Sequence, residues 1–464
     1  MSGIVSYGVY LPYRRLQRSA ITAALGVGGG PGSRSVASYD EDTTSMGVEA
    51  GRIALRDASA GAVPGALLFA TTAPAYADKT NASIVHAALG LPSSVGAYDM
   101  VGAVRSNVAA CTLADRTGGL AVVSDIRTGR PGGADESGGG DAAVAVLFGD
   151  EGALTETIGG ATASAEFVDR WRQPGAAASK QWEERFGEFA YAPLVEEAVT
   201  AALKSADLDV AAVDHAIVTG LHARAVNAAK KSIGFRVGAV VDDLTATIGN
   251  TGTAHGLLLL ADVLDRAEPG QTIALVQLAD GVDVWLLRTT DALAARRPTR
   301  TVRDAIAATR DDLTYAQFLT WRGFLEREPP RRPEPDRPAA PPSLRTDAWK
   351  YAFVGSRDEN GFVHLPPSRV SMGTGAIDRM EPAPMADVPA TIATFTVDRL
   401  AYSLSPPVVA AVIDFDGGGR FQCELTDVDP AAVAIGDRVG MTFRRLYTTD
   451  GVHNYFWKAR KLDN

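Results

Sequence analysis

The sequence predicts a layered α/β domain built from two copies of one unit, with helices buried between sheets, followed by a small all-β barrel. Three observations carry this. A helix-then-strand unit over residues 51–72 is echoed over 197–219, with similar spacing and an apolar strand at the same offset. A charged, Pro-rich stretch over 326–342 breaks the pattern, and a chain of that composition stays extended and builds no core. Beyond it come short strand-like segments with Gly-rich turns such as Asp416-Gly417-Gly418-Gly419.

Residues 3–10 alternate as a strand and stop at Leu11-Pro12. Residues 45–59 carry a helical stripe of Met46, Val48, Ile53 and Leu55, and 66–71 read as a buried parallel strand. A helix over 81–89 ends at Gly90 and Pro92. The segment Ala97-Tyr98-Asp99-Met100-Val101-Gly102-Ala103-Val104-Arg105-Ser106-Asn107 is a strand-to-helix turn before an Ala-rich helical run. Strands follow over 119–125 and 142–148, around a Gly-rich loop at 131–140. The second half gives a helix over 194–205, a strand over 213–219, a basic helix over 224–231, a helix over 253–265 and strands over 271–277 and 282–288. Barrel strands are expected over 390–397, 408–414, 420–425, 438–443 and 452–457. The resulting division is 1–290 for the doubled domain (repeats about 1–155 and 190–290), 291–325 a helical extension, 326–342 a linker, 343–380 a hairpin and 381–464 the barrel.

The 464 residues suffice for two or three domains and a large core, with 46% hydrophobic and 22% charged residues. A net charge of −10 argues against a nucleic-acid partner but leaves room for a local basic pocket. The two cysteines, Cys111 and Cys423, give neither a disulfide framework nor metal-like spacing, so a cytoplasmic location is the simplest expectation. No signal peptide is read, and the most apolar run, 256–263, is too short to span a bilayer, so no membrane partner is expected.

Residues 1 to about 290 resemble the thiolase superfamily, in particular 3-hydroxy-3-methylglutaryl-CoA synthase-like proteins. The resemblance rests on 70–91, Gly129-Arg130-Pro131-Gly132, 138–148, 167–187, Ile248-Gly249-Asn250-Thr251 and 261–270. Residues from about 340 resemble an acyl-CoA-associated family of a zinc ribbon followed by an OB fold, through Pro366-Pro367, 395–403, 417–426 and 451–458. The resemblance implies a duplicated α-β-α-β-α fold plus OB barrel, a CoA or carrier-protein thioester as ligand, and a homodimer formed through the strand beside the nucleophile turn.

The family's site residues carry over poorly. Its nucleophilic cysteine falls on Val104, which cannot form an acyl-enzyme, and its glutamate falls on Thr72, which exchanges no proton near neutrality. Its histidine falls on Thr219, and Asn250 is retained. In the ribbon, the four metal-ligand positions fall on Arg357, Asn360, Ser371 and Thr374, so no zinc is expected. Cys111, about 10 Å further along the helix than Val104, reads as a core residue.

Other groups could have taken over. His222, three residues past Thr219, is either a base or an inert loop histidine. Asp99 either caps a helix or faces substrate, Tyr76 and Asp78 are either acids or a solvated pair, and Asp280 is a further titratable candidate. Arg105 either binds a carboxylate or phosphate or pairs with an aspartate such as Asp99. Arg224, Lys230 and Lys231 either hold CoA phosphates or form a solvated helix face. His255 is a core histidine or reaches the pocket, and Trp171, Arg172 and Trp182 shape its entrance. Tyr455, Phe456 and Trp457 pack on the first domain or handle an acyl chain. Two functions remain: thioester chemistry without an acyl-enzyme (carbon–carbon bond formation or cleavage, or acyl transfer), or an inactive pseudo-synthase that binds a thioester or supports a partner thiolase. Neither needs a permanently bound cofactor.

Overall fold

A computed structural model describes residues 3–58 and 61–462. The first half contributes β1 (Gly3–Tyr10), α1 (Thr43–Asp57), β2 (Ala66–Thr71), α2 (Ala82–Ala88), β3 (Gly96–Val101), α3 (Ser106–Thr117), β4 (Leu120–Ile126) and β5 (Asp141–Gly149). Its sheet runs β1-β5-β4-β2-β3, with β2 parallel to β3 and β4, and β5 antiparallel to β1 and β4. The α1 helix starts at a capping box in which Asp42 accepts from the Ser45 N–H at 2.8 Å. Its expected end at Ser59 lies outside the described residues.

The second half contributes β6 (Thr155–Ala163), α4 (Glu184–Ser205), β7 (His215–Gly220), α5 (Ala223–Ser232), α6 (His255–Leu264), β8 (Thr272–Leu278) and β9 (Val282–Thr289). Its sheet, β6-β9-β8-β7, repeats the order and strand directions of β1-β5-β4-β2. The counterpart of β3 shrinks to one bridge, Ala216 to Val240. This half opens with β6 at Thr155, so residues 155–163 belong to it and not to the gap left between 155 and 190.

Alternation along the strands builds the layers. From β2, Leu67 and Phe69 face α1 and α2, while Leu68 and Ala70 face the middle of the molecule. That middle layer is α3 and α6; every residue of α6 is buried, with Leu257 to Leu260 filling the space between the sheets. Each fully buried leucine contributes about 1.5–3 kcal/mol. On the far face, α4 and α5 cover the second sheet through Tyr191, Val195, Ala198 and Val226.

Short helices at Ala292–Ala295, Val302–Ala307 and Tyr315–Trp321 follow. Residues 326–339 are largely exposed and lack regular structure, but the chain turns helical at Ala340–Arg345, so the last three residues of the expected linker belong to a helix. A small sheet of β10 (Val354–Asp358), β11 (Val363–His364) and β12 (Met380–Pro384) comes next. The expected boundary at 381 therefore cuts a strand: β12 pairs with β10 through five residues and belongs to the hairpin. The barrel is closed, in the order β13 (Ala390–Asp398), β14 (Val408–Phe415), β15 (Arg420–Leu425), β17 (Val452–Lys461), β16 (Arg438–Thr449). Among the described residues no helix is long and apolar enough to cross a membrane.

The barrel docks on α1 and the acidic segment before it. Arg444 is fully buried between Asp40, Glu41 and Asp427, and Lys458 lies 3.0 Å from Asp40. Tyr455 donates to Asp42 at 2.7 Å, and Arg52 stacks over Trp457 while donating to the Met441 carbonyl at 2.9 Å. Tyr455 and Trp457 thus pack toward the first domain.

Candidate functional site

The carboxyl ends of β2, β4 and β7 meet the amino ends of α3, α5 and α6 between the two halves. Here Asp125, fully buried, accepts from the Thr72 hydroxyl at 2.6 Å and from the Thr253 N–H and hydroxyl at 3.1 and 3.0 Å. Gly252 makes room for it: at φ +59 its Cβ would stand 2.2 Å from Asp125 Oδ2. Beside it, Asn107 and Gln277 exchange two 2.8 Å hydrogen bonds through their amides, and Asn107 also donates to the Thr253 carbonyl. Val104, at the start of this helix, is buried. Sequence reasoning missed Asp125, Asn107 and Gln277. The available signal was a polar residue ending each apolar strand or opening an Ala-rich helix, which is costly unless hydrogen-bonded.

A cleft of about 350 Å³ opens next to this network and gathers Thr219, His222, Arg224, Asn250, His255 and Trp182. Asn250 is fixed by donating to the Gly220 carbonyl at 3.0 Å and accepting from the Gly252 N–H at 3.0 Å. His222 caps α5: its Nδ1 accepts from the Ala225 N–H at 3.0 Å, which leaves the proton on Nε2. That nitrogen faces Gly187 of α4, where a Cβ would be only 2.3 Å away. His255 is 1% exposed, and burial holds its imidazole down at about pKa 4, so it is neutral at physiological pH. The Trp171 and Trp182 rings lie 6.5 Å apart on the segment that edges the cleft, and Arg172 donates to the Thr72 carbonyl.

The remaining predicted residues are elsewhere or engaged. Asp99 caps α2, accepting from the Asn81 and Ala82 N–H groups at 2.8 and 2.7 Å and from the Asn81 amide. Arg105 does not pair with Asp99 and offers no free fork to a ligand. Its Nε and Nη2 reach Asp283 at 2.8 and 3.3 Å and its Nη1 reaches the Asp280 carbonyl, which ties the turn to β9. Asp280 itself is raised in pKa by burial and then by Asp169. On α5, Arg224 is paired with Glu188, Lys230 donates to Asp243 at 2.9 Å and Lys231 is exposed. Tyr76 turns to the barrel, its hydroxyl accepting from the His453 N–H at 2.7 Å, and Asp78 is exposed. Cys111 is buried among core side chains, and burial pushes its thiol up to about 12. A larger cavity, about 620 Å³, lies at the barrel junction; Arg52 and Lys461 on its wall are already paired with Asp387 and Asp437.

Known proteins fit this architecture. The hydroxymethylglutaryl-CoA synthase of Archaeoglobus fulgidus is 31% identical over 313 residues, which is 63% of this chain and 90% of that protein. The chain belongs to the hydroxymethylglutaryl-CoA synthase family. The synthase of Aeropyrum pernix is 29% identical over 352 residues, 70% of this chain and 95% of its own. A solved structure of MvaS in complex with 3-hydroxy-3-methylglutaryl coenzyme A shares the fold, with TM-score 0.54 at 20% identity, over 73% of this chain and 94% of that one. Residues 384–444 match the family described as ChsH2, C-terminal OB-fold domain. The protein is thus a synthase-family, thiolase-like domain fused to an OB fold.

The hairpin before the OB fold carries a carboxylate where the resemblance puts metal ligands. Asp358 accepts from the Ser371 hydroxyl at 2.5 Å, the Thr374 hydroxyl at 3.3 Å and the Phe362 and Asn360 N–H groups at 2.8 and 3.0 Å. Arg357, Asn360, Ser371 and Thr374 supply no thiolate or imidazole, so this donor set does not fit zinc.

Proposed function

We propose that the cleft between the two halves binds an acyl-CoA or acyl-carrier thioester and acts on it without an acyl-enzyme. The observation that carries this reading is the buried Val104 at the head of α3, at the position the family gives its nucleophile. A valine has no lone pair to attack a thioester. Thr72 and Thr219 take the places of the glutamate and histidine, and Thr72 is committed to Asp125. Cys111 is no substitute, because a thiol held near pKa 12 carries almost no thiolate at neutral pH. The ligand class follows from the relatives, which are hydroxymethylglutaryl-CoA synthases. Asn250 and the Nε2–H of His222 are the polar groups in the cleft available for orienting a ligand, and the exposed cations Arg224 and Lys231 of α5 are the groups we assign to CoA phosphates, Arg224 by exchanging its partner Glu188.

A second reading, a non-catalytic member that completes a thiolase, draws on β3. Among the described residues this edge strand pairs with β2 alone, and it leaves Tyr98 and Val101 56% and 45% exposed, a surface suited to antiparallel addition of another strand. We favour a second copy of the chain as its occupant, hence a homodimer, with a partner thiolase as the alternative. A zinc-free ribbon and a reducing, cytoplasmic compartment complete the proposal.

Thermal shift and intact mass with acetyl-CoA and CoA test it. Acetyl-CoA should stabilise the protein, by about 2.7 kcal/mol at a hundredfold excess over Kd, and denatured protein should carry no acetyl group. A stable acetyl adduct would overturn the non-covalent reading; no stabilisation by either ligand would overturn thioester binding.

A further inference from the structure

His255 has a nitrogen without a role. Its Nδ1 accepts from the Thr251 N–H at 3.3 Å, which assigns the proton to Nε2. Nε2 is buried on the cleft wall and has no hydrogen-bond partner. The Asp243 main chain is near enough to polarise the ring, but not in hydrogen-bonding geometry. A buried donor left unmade is costly, and native structures tolerate it chiefly where a ligand or water completes it.

Its position points to what completes it. The next residue, Gly256, packs against the end of β7: a Cβ there would lie 3.5 Å from Thr219 Cγ2 and 3.2 Å from Gln277 Oε1. The imidazole one residue earlier lines the same cleft as Thr219, the position expected to hold the family's histidine. Asn250 lines the same cleft, and of its two amide hydrogens one serves the Gly220 carbonyl. Two neutral N–H donors lining one cleft suit a neutral acceptor that gains negative charge, such as the carbonyl oxygen of a thioester, better than a phosphate.

We infer that His255 Nε2–H, with Asn250, forms a carbonyl-binding pair in the cleft, the imidazole being supplied from the head of α6 instead of the end of β7. This rests on the thioester reading above and names the group that would grip the acyl carbonyl.

The test compares acetyl-CoA, labelled with ¹³C at the carbonyl, with CoA on the full chain by calorimetry and isotope-edited infrared spectroscopy. Bound acetyl-CoA should show its carbonyl band at lower frequency than in water. His255→Leu should abolish that shift and weaken acetyl-CoA about tenfold, while CoA binds as before; His255→Gln, which keeps a donor, should recover part of both. Wild-type affinity and band in His255→Leu would overturn the inference, as would an unshifted band in the wild type, and in both cases the thioester reading would survive. If neither acetyl-CoA nor CoA bound the wild type, both would fall. Should His255→Leu not fold, the wild-type band and His255→Gln decide.

Discussion

Val104, Arg105 and His255 are each decided by what touches them. Arg105 looked available to an anion because a charge beside a nucleophile turn is costly unless answered. The answer is Asp283, 178 residues away on β9, whose carboxylate also accepts from Thr162 at 2.7 Å. His255 makes a pH prediction with a definite sign. Its pKa falls from 6.5 to about 4 on burial, so between those values the unfolded chain binds the extra proton. Its contribution to stability is therefore complete above about pH 6.5 and is lost as pH drops toward 4. Denaturant unfolding of wild type and His255→Gln across that range should show a difference of roughly 3 kcal/mol lost on acidification.

At the scale of elements, the hairpin β10–β12 is held together around one carboxylate. Asp358 gathers two hydroxyls and two N–H groups that would otherwise lack a common partner. Asp358→Ala should raise amide exchange over residues 359–376 tenfold or more, roughly, while the barrel strands keep their protection. EDTA should leave the wild-type melting temperature unchanged. The elements themselves were largely legible. The strands at 66–71 and 420–425 appear as read, because apolar runs bounded by turn residues leave few alternatives. The starts of α4 and β6 were not. The helix carries Pro193 inside it, which hides its first turns, and β6, with Gly159 and Gly160, has no apolar run.

For the whole molecule, the barrel is not a loosely tethered module. The core that starts at Phe69 and Met46 continues through Phe353 and Trp457 to the barrel, and the junction includes a buried guanidinium among three carboxylates. Burial raises Glu41 to about 7, even with Arg444 pulling it down, whereas at Asp40 burial is outweighed by Lys458 and Arg444, and its pKa is lowered. Removing the cation leaves Asp40, Glu41 and Asp427 facing one another. Arg444→Met should cost roughly 3–5 kcal/mol in denaturant unfolding, and barrel and first-domain probes should move together.

By itself the sequence determined the doubled α/β unit, the linker, the barrel and the absence of side-chain chemistry at Val104, because periodicity and residue type are local properties. It also narrowed the polar candidates to a handful. Which of them share a cleft was decided only in three dimensions. Asp99 turned to α2, Arg105 to Asp283 and Tyr76 to the barrel, while Asn250, His222 and His255 came together. The physical reason is that a polar side chain's role is set by the partner that satisfies it, and those partners lie on elements remote in sequence.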